Sequence, residues 1–416
     1  PIRLGLENIV VFADAHTDSL LIDLQWDDKS VEDLNKGKIE AVFLPHERVG
    51  GRLHISSQDM IINDSLWNIS PTCYIDFKKN KISFTEFDIY SGNQLLSVGG
   101  DFPRSNRDTL YLKFNELDIS DFDLLTKGYG IDIDGFINGD LQLAGLSEKF
   151  TFLSNLDVDG IKVNKHDVGN ASINAVWNAP DTSIYIIAEI DRENFADKIL
   201  TLNGKYNVIK KNNNLDFDLQ LNDIDISLVN AFTRGVLSRI EGELGGDFLI
   251  SGSFKKPVIT GNAMLNDAAC KIDYLNTYYR VNPSSQNERL HHTIKLSENR
   301  IDFQDIVLVD TLNNYAVAKG VVTHNYLKDF NFNVDATLDN FLGMNMLQEE
   351  SSTFYGTAIA SGELKIDGPL DDIVMDINAL SMPGTVIDIV LTSTSSINDN
   401  FIVFVQKDVE QDVVKT

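Results

Sequence analysis

The stretch Gly242–Gly261, GELGGDFLISGSFKKPVITG, recurs along the chain, and this recurrence limits the available folds more than any other feature. Within it, Asp247-Phe248-Leu249-Ile250-Ser251 reads as a strand, Gly252 closes it, and Lys255-Lys256-Pro257 turns the chain into a second strand-like run. Residues 135–145 read GFINGDLQLAG and residues 356–368 read GTAIASGELKIDG. A Gly-x5-Gly core therefore occurs as Gly139/Gly145, Gly246/Gly252 and Gly362/Gly368, at intervals of 107 and 116 residues. Self-similarity at a near-constant period marks stacked supersecondary units, each burying the face of the next. Glycine pairs inside strands mark places where a strand bends or approaches another backbone closely.

A second hairpin accompanies the first. Residues 80–100 (NKISFTEFDIYSGNQLLSVGG) have a counterpart at 299–320 (NRIDFQDIVLVDTLNNYAVAKG), each with a Phe, an Asn turn (Asn93, Asn314) and a closing Gly100 or Gly320. Residues 195–204 hold a weaker middle copy. Between hairpins lie alternating strands that run into short segments read as helical, around Asp121–Thr126, Leu228–Arg234 and Phe341–Gln348. Leu215, Phe217, Leu219 and Leu221 face one way, and Asp216, Asp218, Gln220 and Asn222 the other. That period of two marks a sheet with one wet face. Ser30-Val31-Glu32-Asp33 resembles a capping box with Gly37 as helix stop, and Phe401–Val405 reads as a last strand. The expected organisation is a single elongated segment over 1–416, part of a longer protein, with approximate repeats 80–190, 191–298 and 299–405.

The dry face of this sheet holds Leu110, Leu112, Phe114, Leu141, Leu143, Phe217, Leu219, Leu221, Phe248, Ile250, Phe330, Phe332, Leu364 and Ile366. Leaving each of them in water would forgo about 1.5–3 kcal/mol, so the face has to be sheltered. No long amphipathic helix is available for the purpose. Two solutions remain: a second sheet packed as a sandwich, or one sheet curled into a trough. The sandwich is the commoner answer for an all-β chain; the long period and the fixed glycine positions argue for the trough. An apolar trough has a use. A 16-carbon acyl chain leaving a membrane loses on the order of 13 kcal/mol at about 0.8 kcal/mol per methylene, and an apolar furrow offsets much of that.

Charge narrows the partners. With 35 basic and 62 acidic residues the net charge is −27, a field that repels nucleic-acid phosphates, so no nucleic-acid binding is expected. Two cysteines, Cys73 and Cys270, form no disulfide framework or metal motif. His291 and His292 point to opposite faces of a strand and cannot share a metal. Asp371-Asp372 and Glu349-Glu350 read as solvated turns. Asp132-Ile133-Asp134-Gly135 is half a calcium loop without its distal Glu, and reads as a turn. The glycine hairpins lack the Gly-Lys-Ser/Thr that opens a phosphate-loop helix. The expectation is no catalysis, no metal and no cofactor.

The hairpin G-x-(L/A)-x-x-x-G-x-(L/I)-x-G followed by Pro and another strand resembles the repeat of the TamB family, related to AsmA proteins. It is complete in Gly242–Gly261 and present as Gly362-Glu363-Leu364-Lys365-Ile366-Asp367-Gly368-Pro369, leading to Ile373–Ala379. The stretch 337–347, TLDNFLGMNML, looks like that family's segment between repeats, and the resemblance covers roughly residues 80–405. The first block has no proline after Gly145, and Ala358 stands where the others have Gly135 and Gly242. Membership implies an all-β, extended β-taco or repeating β-groove, its curled sheet apolar inside, with few short helices. It further implies a periplasmic bridge moving phospholipid between the inner and outer membranes of a Gram-negative bacterium, with a role in outer-membrane protein assembly or secretion. The implied partners are phospholipid and an Omp85-type outer-membrane barrel, with membrane contact through parts outside this fragment. The alternative is a surface adhesin or scaffold whose inner face is simply a packed core; a polysaccharide-active enzyme is a poorer third reading.

Overall fold

The computed structural model describes residues 8–27, 35–46, 50–62, 64–103, 105, 107–120, 132–145, 150–192, 197–231, 233, 237–281, 292–326, 328–350, 354–370 and 372–390. They form one antiparallel sheet of 25 strands. The strands follow one another in chain order. β1 (Val10–Ala15), β2 (Leu20–Asp27), β3 (Asn35–Pro45) and β4 (Gly50–Ile62) come first. β5 (Ser65–Ile69) and β6 (Tyr74–Lys78) share the next row, between β4 and β7 (Lys81–Ser91). β8 (Gln94–Asp101), β9 (Thr109–Asp118), β10 (Ile133–Ala144) and β11 (Thr151–Val163) continue the meander.

Then come β12 (His166–Asn178), β13 (Ser183–Asp191), β14 (Leu200–Asn207) and β15 (Leu215–Asp225). β16 (Leu237–Ser253) and β17 (Lys256–Ile272) form the longest hairpin, which contains Gly242–Gly261. β18 (Thr277–Val281) and β19 (His292–Ser297) share a row before β20 (Arg300–Val309). β21 (Tyr315–Thr323), β22 (Asn331–Met346) and β23 (Phe354–Pro369) follow, with β24 (Val374–Ser381) and β25 (Val386–Ile389) sharing the last row. With three rows shared, the 25 strands occupy 22 rows. At about 4.8 Å per row the sheet extends on the order of 100 Å across its strands. Every described strand belongs to this one sheet, so the described fold is all-β without sandwich pairing, and the described residues among the first 80 join it in the same manner as the rest.

Side chains opposite one another in an antiparallel ladder share a face. One apolar line therefore runs Leu20, Phe43, Leu53, Ile75, Phe84, Gly100, Leu110, Leu143, Phe152 from β2 to β11. A second runs Leu141, Ser154, Ala175, Ile186, Gly204, Phe217, Ile250, Ile259 from β10 to β17. A third runs Leu219, Phe248, Gly261, Leu296, Ile301, Val322, Phe332, Gly368 from β15 to β23. Leu364 and Ile377 carry the face onto β24. The opposite face pairs Lys113 with Asp140 and Lys205 with Asp216, and stays wet.

What bends this sheet is a row of bulges. The pairing register slips next to Asp59 (φ +45°), Glu86 (+47°), Glu116 (+46°), Gly160 (+62°), Asp223 (+49°), Arg239 (+49°), Asp267 (+45°), Asp305 (+52°) and Asn340 (+48°). Most are Asp or Asn, which tolerate left-handed backbone better than other side chains. Each bulge takes one amide out of the ladder, and side chains on the following strand collect several of these. The Glu116 N–H donates to Asn138 Oδ1, Gly160 N–H to Asn170 Oδ1 and Asn340 N–H to Ser361 Oγ, each at 2.8 Å. A bulge bends the strand that carries it, and those in β4, β7, β9, β11, β15, β16, β17, β20 and β22 together crease the sheet.

The bulges divide the strands that carry them unequally. A long wall ends at the tight turns 79–80, 179–182, 254–255 and 298–299, the tip edge. A shorter wall ends at longer connectors, which include the 3-10 turns Ile226–Ala231 and Gln348–Glu350. The core fills the angle between the walls in three clusters. Trp26, Met60, Trp67, Ile69, Cys73 and Leu117 occupy the first, Ile226, Ile240 and Ala268 the second, and Tyr279, Ala316, Leu338 and Phe341 the third.

Some expectations require correction. Gly37 ends no helix: it lies inside β3 beneath the Trp26 ring, where a Cβ would meet Cζ2 at 2.6 Å. The helical reading of Phe341–Gln348 fails because β22 runs to Met346; the bulge at Asn340 breaks the alternation, so that Phe341, Leu342 and Met344 mimic a helical stripe. The 3-10 turns are Ile226–Ala231, which overlaps the expected segment Leu228–Arg234, Asp273–Leu275 and Gln348–Glu350. Asp132-Ile133-Asp134-Gly135 is mainly strand, since β10 starts at Ile133. The segments at 30–33, Asp121–Thr126 and Phe401–Val405 lie outside the described residues.

Candidate functional site

The apolar face lines the inside of the creased sheet, and the recurrent glycines set its shape. Gly139, Gly246 and Gly362 sit beside the bulges at φ +122°, +148° and +151°. A Cβ at these positions would stand 2.1 Å from Asn155 O, 2.2 Å from Asn262 O and 2.4 Å from Asn378 O. The next strand's backbone passes where a side chain would be, so one close approach is repeated in all three blocks. Gly145, Gly252 and Gly368 also have positive φ and stand at the strand ends on the tip edge. The departure at Ala358 is absorbed locally: Gly356 takes φ +117°, close to the +114° of Gly242.

Most of the predicted floor residues come together on this face. Leu110 pairs with Leu143, Leu112 with Leu141, and Phe114 faces Gly139. Phe217 pairs with Ile250, Leu219 with Phe248, and Leu221 faces Gly246. Phe332 faces Gly368, and Leu364 and Ile366 pair with Ala336 and Val334. Phe330 is the exception: it precedes β22 and packs edge-on against His324 at the tip edge, with 6.0 Å between ring centres. Burial lowers the pKa of that histidine.

The lining extends well beyond these positions. Ile173, Trp177, Ile184 and Ile186 on β12 and β13, and Phe43, Ile75, Phe84 and Leu96 nearer the N-terminus, belong to it too. Their signal is the same period of two, outside the recurring glycine blocks. Aromatic rings lie across the face glycines, Phe217 over Gly204 and Phe248 over Gly261, and smooth the floor between strands.

Shelter is graded. Phe217 and Phe248, deep on the long wall, are buried, whereas the other predicted floor residues are half-buried. Val11 on β1 and Ile377 on β24, at the two ends of the face, are 60% and 62% exposed. The Tyr279 ring stacks on Phe341 with 4.8 Å between centres, and its hydroxyl donates to Leu342 O at 2.9 Å. Burial raises the pKa of this phenol far above its ordinary range. Asp310, also buried, accepts the amides of Leu312, Asn314 and Leu342 at 2.8, 2.8 and 2.7 Å. This carboxylate is satisfied and structural.

Ser227, His166 and Asp225 meet at the connector edge, with Ser227 Oγ 3.1 Å and Asp225 Oδ2 3.7 Å from His166 Nδ1. Both oxygens address the same ring nitrogen. A nucleophile–base–acid relay needs them on opposite nitrogens, so this trio cannot activate the serine. Among the described residues no three His, Cys, Asp or Glu side chains are placed to hold a metal ion. Burial raises the pKa of both the Cys73 and Cys270 thiols, which are inert in that state. No protein-family model, curated protein or solved structure matches the chain.

Proposed function

We propose that the creased sheet is a lipid conduit, holding acyl chains against its apolar face while polar headgroups stay at the open edge. The observation that carries this is the apolar face that continues from β1 to β24, half-sheltered along most of its length, with no second layer of strands over it among the described residues. A packed core needs no such extent, whereas a passage for a molecule with long apolar tails does. The acidic exterior supports the reading, since a charge of −27 keeps a protein with this much apolar surface soluble. With the resemblance to the TamB repeats, the setting we propose is the periplasm, the cargo phospholipid, and the outer-membrane partner an Omp85-type barrel.

The test is lipid capture. The purified protein, analysed by native mass spectrometry and by solvent extraction, is expected to carry phospholipid, and a photo-reactive side chain at position 219 or 250 to crosslink to acyl chains. Protein that carries no lipid after exposure to phospholipid vesicles would return the chain to the scaffold reading.

A further inference from the structure

A cavity of about 680 Å³ lies on the wet face at the tip edge, formed where residues 208–214 fold against β13 to β17. The fold there is pinned by Asn207. Its Oδ1 accepts the amides of Ile209 and Lys210 at 3.2 and 2.9 Å, and its Nδ2 donates to Asp181 O at 2.8 Å. The cavity has charge of both signs. Lys205 stands 3.4 Å from Asp181 and 3.8 Å from Asp216, longer than well-formed ion pairs. Lys210 is exposed and has no ion-pair partner among the described residues, and Glu298, in the turn after β19, lines the same cavity.

Two lining residues carry buried acceptors without a donor, Asp181 Oδ1 and Asn214 Oδ1. Both oxygens are sealed from solvent, so the cavity offers the ammonium groups of Lys205 and Lys210 to an anion and the carboxylates of Asp181 and Asp216 to a cation. It lies beside the edge of the trough. Leu215 and Gly252 line it, and the same two residues form a ladder pair on the apolar face. Both are buried, and the Lys256 carbonyl fills the side-chain space at Gly252.

We infer that this cavity binds a zwitterionic phosphoester headgroup, with phosphate at Lys205 and Lys210 and a primary ammonium at Asp181 and Asp216. The choice of ligand rests on the conduit reading: a diacyl lipid seated here would pass its tails around the tip edge onto the trough face. A headgroup of one sign would leave half of the lining unmatched. The same chemistry is carried by free glycerophosphoethanolamine, which needs no trough.

Calorimetry with sn-glycero-3-phosphoethanolamine separates the cavity from the conduit. Saturable binding is expected, with glycerol 3-phosphate and ethanolamine each binding more weakly. Lys210→Met and Asp181→Asn are each expected to weaken it by about tenfold or more, the loss of one charge-assisted hydrogen bond. Lys210 is exposed, so its variant keeps the fold even if Asp181→Asn disturbs the turn at 179–182. In a second arm, vesicles of phosphatidylethanolamine and of phosphatidylglycerol compete for capture, and the preference for phosphatidylethanolamine should vanish in Lys210→Met. Absence of saturable binding, equal binding of glycerol 3-phosphate, or affinity untouched by both variants overturns the assignment. Lipid captured without headgroup preference removes the cavity from the mechanism and leaves the conduit. Headgroup binding without lipid capture retains the cavity as a soluble-phosphoester site and removes the conduit.

Discussion

Replacing Gly246 by alanine tests the crease at its centre. Its φ of +148° is a region an L-residue enters at about 1–3 kcal/mol. The added Cβ would also stand 2.2 Å from Asn262 O. Rotation about a side-chain bond cannot relieve that contact, because the opposing atom is backbone held in the β16–β17 ladder. Together these give about 2–4 kcal/mol of local destabilisation. Gly99 in β8 is the control: nothing lies within 4 Å of its virtual Cβ and its φ is not positive, so Gly99→Ala should stabilise by about 0.4–1 kcal/mol through the unfolded chain.

In an elongated array stability is held locally, so a single melting curve mixes regions. Hydrogen exchange reads the region directly. Amides of β15 to β17 should exchange roughly 30- to 700-fold faster in Gly246→Ala, at a factor of ten per 1.4 kcal/mol. Those of β1 to β8 should not change. Protection in β16 and β17 equal to that of the Gly99→Ala protein would show that the glycines are not what allows the strands to approach at the crease.

Other outcomes follow from the same geometry. Leu219→Asp places a carboxylate opposite Phe248 on the trough face; lipid crosslinking beyond that row should fall while the protein stays folded, and unchanged crosslinking would remove Leu219 from the path. Asn138→Ala or Ser361→Ala removes the acceptor of a bulge amide, with an expected local loss of about 0.5–1.5 kcal/mol in hydrogen exchange. The Arg52 fork holds the Asp76 carboxyl below its ordinary pKa of 3.8, with bonds of 2.7 and 3.0 Å. Because the folded pKa is the lower one, the pair's stabilisation is complete above pH 3.8 and disappears as pH falls through the depressed folded value. Exchange protection in β4 and β6 should fall across that acid window in the parent protein, and that component should be missing in Asp76→Asn.

Local chemistry was enough to give the strands, the period of two and the recurrent glycines. Asp218, Asp247 and their neighbours leave the intervening side chains only one dry face to share, and a Gly-x5-Gly inside a strand already implies a bend or a close approach. That is why Leu219, Phe248 and Leu364 could be placed on one surface in advance. Phe330 could not be excluded, because alternation says nothing about where a strand starts. Phe341–Met346 looked helical because one bulge residue, Asn340, shifts the apolar spacing from two to three, and a bulge is defined by its partner strand rather than by its own sequence.

Sandwich or trough was equally beyond local reading, since both bury the same residues. Tertiary pairing decided it: the strands joined along the chain into a single sheet, and bulges contributed by separate strands creased it. The cavity at the tip edge has the same origin. Asp181, Lys205, Asn214 and Glu298 are spread over more than a hundred residues, and only the return of every second turn to the same edge brings them together.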